Sequence, residues 1–211
     1  MSNEQKFTDE QYQIDYEQKK AGMESFLGEM HGFVGHAIIP FSIGGAVDMY
    51  YFPNHITGTG FATMELLDPE GKGPVRNMFG TYELLAFTKE PINDIMEEKA
   101  PTAFNLIERR ICGIFTAIGN YSYQVALNPQ ETCEIPSDGE ENKCLVFDIY
   151  QPNKKGPLFN IGNRSHHFLL CIEIFRSEMD YARAKGSVAL FKKLKKAGHY
   201  PYSDLDRKPI V

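Results

Sequence analysis

The chain has no tryptophan, few cysteines and no excess of positive charge, and each shortage narrows what it can be. Its 211 residues carry a formal net charge of -6. That argues against a nonspecific nucleic-acid binder, which needs a cationic footprint to displace counterions from phosphate. The four cysteines, Cys112, Cys133, Cys144 and Cys171, form no C-x-x-C pair. Cys112 and Cys171 sit inside apolar stretches and read as small core residues. Cys133 and Cys144 flank a polar stretch, and a bridge between them is open but not compelled. No apolar run approaches membrane-spanning length, and no basic segment followed by an apolar one opens the sequence. These absences lead to an expectation of a cytoplasmic protein with reduced thiols and no membrane partner. There are no repeats, no low-complexity tract and no linker that demands a domain boundary.

Catalytic signatures are missing as well. There is no H-E-x-x-H, no paired Cys/His spacing and no G-x-S-x-G. Ser42-Ile43-Gly44-Gly45 and Gly58-Thr59-Gly60 are glycine-rich, but neither carries the lysine of a phosphate loop. A strand follows Gly60 where a dinucleotide site would open a helix, so a tight hairpin-type turn is the better reading. His166-His167 precedes an apolar strand. Adjacent strand residues point to opposite faces, so the two cannot easily share a metal and read as a surface pair. His31, His36, His55 and His199 are isolated in sequence. No cofactor is expected.

What is present is an ordinary globular composition, 42% hydrophobic and 24% charged, long enough to bury a real core. Thr8-Asp9-Glu10-Gln11 has capping-box form, and Tyr12, Tyr16, Met23, Phe26, Leu27 and Met30 follow at helical spacing. This predicts a helix over about 8–32, ending near Gly32. From Gly35 the grammar changes, and the core of the domain is expected over about 37–211. Ala37-Ile38-Ile39 is short and apolar, Val47 to Phe52 is rich in strand formers, and Phe61 to Leu67 alternates. In that last run Phe61, Thr63, Glu65 and Leu67 share one face. Asp68 to Pro74 is a loop by its chemistry, and Tyr82 to Thr88 is another strand, so Val47 to Thr88 reads as a three-stranded meander.

Pro91 and Pro101 bracket a short helix or turn. A stronger helix follows, with Phe104, Ile107, Ile111, Ile114, Phe115 and Ile118 as its apolar stripe. Asn128 to Asn142 and Gln151 to Asn163 read as loops on either side of a strand at Cys144 to Tyr150. A short strand at Phe168 to Ile174 leads to two helices, with Ser177 and Ser187 as expected N-caps and Gly186 between them. In the second helix Val188, Phe191, Leu194 and Ala197 form the stripe, and Gly198 and Pro201 stop it. The order of elements implies an α+β fold: one domain over 1–211, with a mixed, mainly antiparallel sheet and helices packed on it.

Three passages together resemble the suppressor-of-fused (SUFU) domain family. One is Ile43-Gly44-Gly45-Ala46-Val47-Asp48-Met49-Tyr50 leading to Gly58-Thr59-Gly60-Phe61-Ala62-Thr63-Met64-Glu65-Leu66, similar to the family's glycine-led strand, turn and "GFGFEL"-like strand. A second is the helix from Phe104 to Gly119. The third is Phe168 to Ile174, then Glu178, Ala182, Gly186, Leu190, Leu194 and the closing Asp204-x-Asp206-Arg207. Through these, Asp48, Gly60, Glu65, Asp204, Asp206 and Arg207 take structural roles of the family motif. The lack of tryptophan departs from the animal members, and their second domain has no counterpart in these residues.

The resemblance implies a non-enzymatic binding protein. Animal members restrain a transcription factor in Hedgehog signalling and capture a peptide by strand addition. Bacterial single-domain members look like immunity proteins encoded beside polymorphic toxins, and a compact acidic domain fits that setting better. The expected partner is a protein, such as a basic toxin domain, and the expected mode is occlusion. The acidic loop residues Asp68, Glu70, Asp138, Glu140 and Glu141 are the first candidates to steer it. Two rivals stay open. One is a hydrolytic or metal-dependent enzyme assembled from His36, Asp48, His166, His167, Asp204 and Asp206. The other is an adaptor of the same fold whose partner is not a toxin.

Overall fold

A computed structural model describes residues 8–92, 101–137, 141–151, 158–161 and 164–211. Among the described residues it holds four helices: α1 Asp9–Leu27, α2 Ala103–Ser122, α3 Arg176–Lys185 and α4 Ser187–Lys196. Its eight strands are β1 Val34–Gly35, β2 Met49–Phe52, β3 Thr59–Ala62, β4 Thr81–Thr88, β5 Thr132–Ile135, β6 Lys143–Ile149, β7 Leu158–Ile161 and β8 Arg164–Ile174. They form one sheet in the order β1-β2-β3-β4-β8-β6-β5, with β7 paired to β8. Only β4 and β8 run parallel; the other pairs are antiparallel. This is the expected α+β architecture, with its β2-β3-β4 meander.

Helices cover both faces. Phe168, Leu170, Ile172 and Ile174 of β8 join Leu85 and Phe87 of β4 in a core closed by Met23 and Leu27 of α1, Met179 of α3 and Leu190 of α4. The alternate residues, Leu169 and Cys171, pack with Tyr82, Leu84 and Phe147 beneath the α2 stripe of Ile111, Ile114, Phe115 and Ile118. A strand buried on both faces reads as a continuous apolar run, which is the pattern at Phe168. Cys133 packs on the α2 side and Cys144 on the other. Strand alternation therefore points their thiols to opposite faces, and all four cysteines are free.

Capping agrees with the sequence at α1, and α2 has a capping box not expected from it. Thr8 Oγ1 accepts from Gln11 N and Gln11 Oε1 accepts from Thr8 N, at 3.3 and 2.7 Å. Thr102 and Asn105 make the same reciprocal pair at α2. α1 stops five residues before the predicted end. Gly28 adopts φ +79° there, and Met30 N–H turns back to the Glu24 carboxylate at 3.0 Å. Ser177 does not cap α3; Phe175 precedes the helix, and its N–H donates to Glu178 at 3.0 Å. Ser187 is the first residue of α4 and donates to the Gln130 carbonyl at 2.6 Å. Val188 is exposed, and Leu190 takes the buried place on α4.

Ala37–Ile39 lies outside the strands, with Ile38 fully accessible. Three further corrections follow from tertiary contacts. β3 ends at Ala62: Thr63 N–H still donates to the Leu84 carbonyl of β4 at 3.1 Å, but the residues after it bond to buried side chains instead of a neighbouring strand. Leu66 N–H and Leu67 N–H donate to the Glu83 carboxylate, while the Met64 and Leu67 carbonyls accept from Lys19. The two expected loops contain β5 and β7; Phe159 and Ile161 are buried while Leu158 and Asn160 are exposed, a strand alternation only four residues long. β8 begins at Arg164, so His166 and His167 lie within it, both fully buried rather than on the surface. The Pro91–Pro101 segment falls largely outside the described residues.

Candidate partner-binding surface

Glu83 on β4 and Lys19 on α1 build the turn that carries the first acidic loop. Lys19 Nζ donates to the Met64 and Leu67 carbonyls and to Glu83 Oε1 at 2.6, 2.7 and 2.8 Å, which uses all three of its protons. Glu83 also accepts from the Thr63 hydroxyl at 2.6 Å. Beyond this turn, Asp68 Oδ1 accepts from Lys72 N at 2.7 Å, and Glu70 pairs with Lys72 Nζ at 2.9 Å and with the Tyr12 hydroxyl at 3.3 Å. Arg164, at the start of β8, donates to the Asp68 carbonyl at 3.3 Å. Both candidate acids of this loop therefore have local structural partners.

Glu141 is exposed in the β5–β6 connection, and Asp138 and Glu140 lie outside the described residues. That connection sits at the opposite end of β8, because Cys144 pairs with Ile174 whereas Asp68 touches Arg164. Ten residues of strand separate the two places, about 30 Å at about 3.3 Å per residue. Asp68 and Glu70 are thus not in one patch with Glu141.

The motif residues have varied surroundings. Asp48 Oδ1 accepts from Ala37 N at 2.8 Å, and Oδ2 lies 2.7 Å from His36 Nδ1. Glu65 accepts from Asp48 N, and burial, with the charges of Asp48 and Glu83 adding to it, pushes its pKa up to about 7. Gly60 faces the Phe87 ring, which a Cβ would meet at 2.9 Å. Asp204 accepts from the Thr88 hydroxyl at 2.5 Å and from Lys89 N at 2.9 Å. Just before it, Ser203 N–H donates to the Phe87 carbonyl at 2.8 Å, and Ser203 Oγ bridges the Cys171 carbonyl and Glu173 N. The closing segment so fills the fork where β4 and β8 part. Arg207 holds Glu178 with two bonds at 2.6 and 2.8 Å and lies over the Phe175 ring, whereas Asp206 is exposed.

The enzyme constellation does not assemble. Only His36 and Asp48 meet. His166 and His167 occupy opposite faces of β8 beside Thr81 and Tyr82, while Asp204 lies at Thr88, the far end of β4. Among the described residues no group of three or more His, Cys, Asp or Glu is arranged to hold a metal ion.

A groove of about 690 Å³ opens where α2, the end of β4, the start of β6 and the closing segment meet. Leu106, Ile107 and Leu205 supply its apolar surface, and Glu90, Asp206, Arg109 and Lys143 also line it. Arg110, also on the lining, is anchored through Nε and Nη2 to the buried carboxylate of Glu173 at 2.5 and 2.7 Å. Sequence reasoning missed the groove. Its one local signal was Leu106, an apolar residue outside the α2 stripe and 59% exposed.

No protein-family model matches the chain, and no curated protein matches it in sequence. Solved structures do match in three dimensions. The Sufu–Fu complex structure aligns at a TM-score of 0.56 and 16% identity, over 93% of this chain and 90% of the other. A protein described as a SUFU homologue from Neisseria gonorrhoeae FA 1090 aligns at 0.53 and 13%, over 94% of this chain and 98% of the other. The chain folds as a SUFU-like domain. No helix among the described residues is long and apolar enough to cross a membrane.

Proposed function

We propose that this chain is a non-enzymatic module that binds and blocks a protein partner, and that its groove beside α2 holds that partner. The observation that carries the reading is the groove itself: apolar side chains at its surface and charges of both signs around it. An apolar contact surface inside a charged border is the layout in which a few buried anchors supply most of the affinity. The Sufu of the aligned complex is bound to a protein, Fu. The net charge of -6 suits a basic partner, and in the finer form of the proposal that partner is a toxin domain neutralised in the cytoplasm by occlusion.

Affinity capture from lysate of the native cell, followed by co-expression with the captured protein, tests both levels. A stoichiometric partner that is lethal alone and harmless beside this chain supports the immunity reading. A harmless partner supports the adaptor reading. Leu106→Glu with Leu205→Glu should weaken capture at least about tenfold, because removing apolar anchors costs more than about 1.4 kcal/mol. Capture unchanged by that pair would refute the groove.

A further inference from the structure

A second cavity, of about 470 Å³, opens on the opposite face of the sheet where β6 ends beside α4. Its lining includes Asp148, Tyr150, Tyr200, Lys195 and Ile56. Asp148 Oδ2 accepts from the Tyr200 hydroxyl at 2.9 Å, and Oδ1 accepts from Ile149 N at 2.9 Å. A carboxylate has about four acceptor positions, so about two remain unused. Lys195 does not take them. It forms no ion pair with Asp148 among the described residues, and its Nζ lies instead 4.2 Å from the Tyr200 ring centroid. The Tyr200 ring thus already accepts a cation.

The other wall is uncharged. Tyr150 Oη is 2.5 Å from His55 Nε2, and burial lowers the His55 pKa, which favours the neutral imidazole. Burial also raises the Asp148 pKa, as expected for a carboxylate stripped of water without full compensation. An acid with spare acceptor positions, set among aromatic rings in a cavity of side-chain size, is a receptor for a planar cation.

We propose that this cavity binds a guanidinium group, the side chain of an arginine on the protein partner. Guanidinium is weakly hydrated, stacks on aromatic rings and donates two parallel hydrogen bonds to one carboxylate. An ammonium does none of these as well. Lys195 is exposed and tethered on α4, so it competes for the Tyr200 ring and must move aside. The partner assignment rests on the protein-binding reading, but the cavity can be tested without the partner.

The test is titration of the intact chain with N-acetyl-L-arginine amide, followed by NMR of the tyrosine side chains. N-acetyl-L-citrulline amide, its uncharged near-isostere, is the control. The expected result is saturable shifts at Tyr150 and Tyr200 with a dissociation constant on the order of millimolar, and no saturation with citrulline. Asp148→Asn should weaken binding at least about tenfold, the loss of a charge-assisted bidentate pair. Lys195→Met, at an exposed position where folding is not at stake, should tighten it about threefold by removing the competing cation. No saturation by the arginine probe, or an unchanged affinity in Asp148→Asn, or weaker binding in Lys195→Met, would overturn the proposal. So would a lysine probe that binds as tightly as the arginine one. Probe failure with partner capture intact removes the arginine site alone; capture failure with the probe bound removes the protein partner alone.

Discussion

Replacing Lys19 by Met removes a cation that is 2% exposed and bonded to three oxygens, opposite a carboxylate that is fully buried. Breaking a buried ion pair from one side costs about 3–5 kcal/mol, because the remaining charge loses its compensation. Two effects adjust this. Glu83 keeps the Thr63 hydroxyl and the Leu66 and Leu67 N–H groups, which lessens the loss. The Met64 and Leu67 carbonyls lose their donor, which adds about 1 kcal/mol each. The expected net cost is about 4 kcal/mol, a large share of the about 5–15 kcal/mol that keeps a domain folded. Glu83→Gln alone should cost about as much, because it strands the ammonium. In the double variant no charge remains, and the Gln amide can donate to a freed carbonyl. Its cost should fall to about 2 kcal/mol, a coupling well above the about 0.5 kcal/mol tolerance of independent sites. Urea unfolding of the four proteins, followed by circular dichroism, measures the cycle. A Lys19→Met cost below about 1 kcal/mol, or additive single costs, would refute the argument that this pair organises the turn after β3.

Glu65 has a folded pKa of about 7 against an ordinary 4.5, so the folded state holds its proton more tightly than the unfolded state. Stability on this account is lost as pH rises from about 4.5 to 7, and Glu65→Gln, which keeps the acceptor for Asp48 N, should gain about 1–2 kcal/mol at pH 8 after allowance for its partial exposure, and nothing below pH 4. No gain at pH 8 would contradict it. His166 and His167 act in the opposite sense: burial lowers both, His167 to about 4, so the unfolded chain takes up protons first and stability is lost as pH falls from about 6.5 to 4. His167 alone contributes about 3 kcal/mol of that loss, and unfolding midpoints measured from pH 7.5 to 4.5 in the Glu65→Gln background should show it. Arg207→Lys cannot reproduce the two-bond contact with Glu178 and should cost about 2 kcal/mol, with faster proteolysis in the closing segment; an unchanged cleavage rate would show that the clamp does not hold it.

Much of this architecture was legible. The α2 stripe, the meander, the apolar β8 run and the glycine between α3 and α4 stand in the structure close to where pattern placed them. The candidate surface was not legible. The five acids look alike in sequence, but Asp68 and Glu70 have local partners, and Glu141 lies at the other end of β8. The groove draws on α2, β4, β6 and the closing segment, and no window of sequence contains them together.

The sequence by itself determined the class of elements and their order, because caps, glycine turns and apolar periodicity act within about four residues of chain. The tertiary structure decided where β3 stops, that His166 and His167 are buried, and which acids have partners. Lys19 meets Glu83 across 64 positions and Thr88 meets Asp204 across 116. A buried charge or hydroxyl must be bonded wherever the fold brings a partner, and that requirement ends strands and builds grooves that local pattern does not encode.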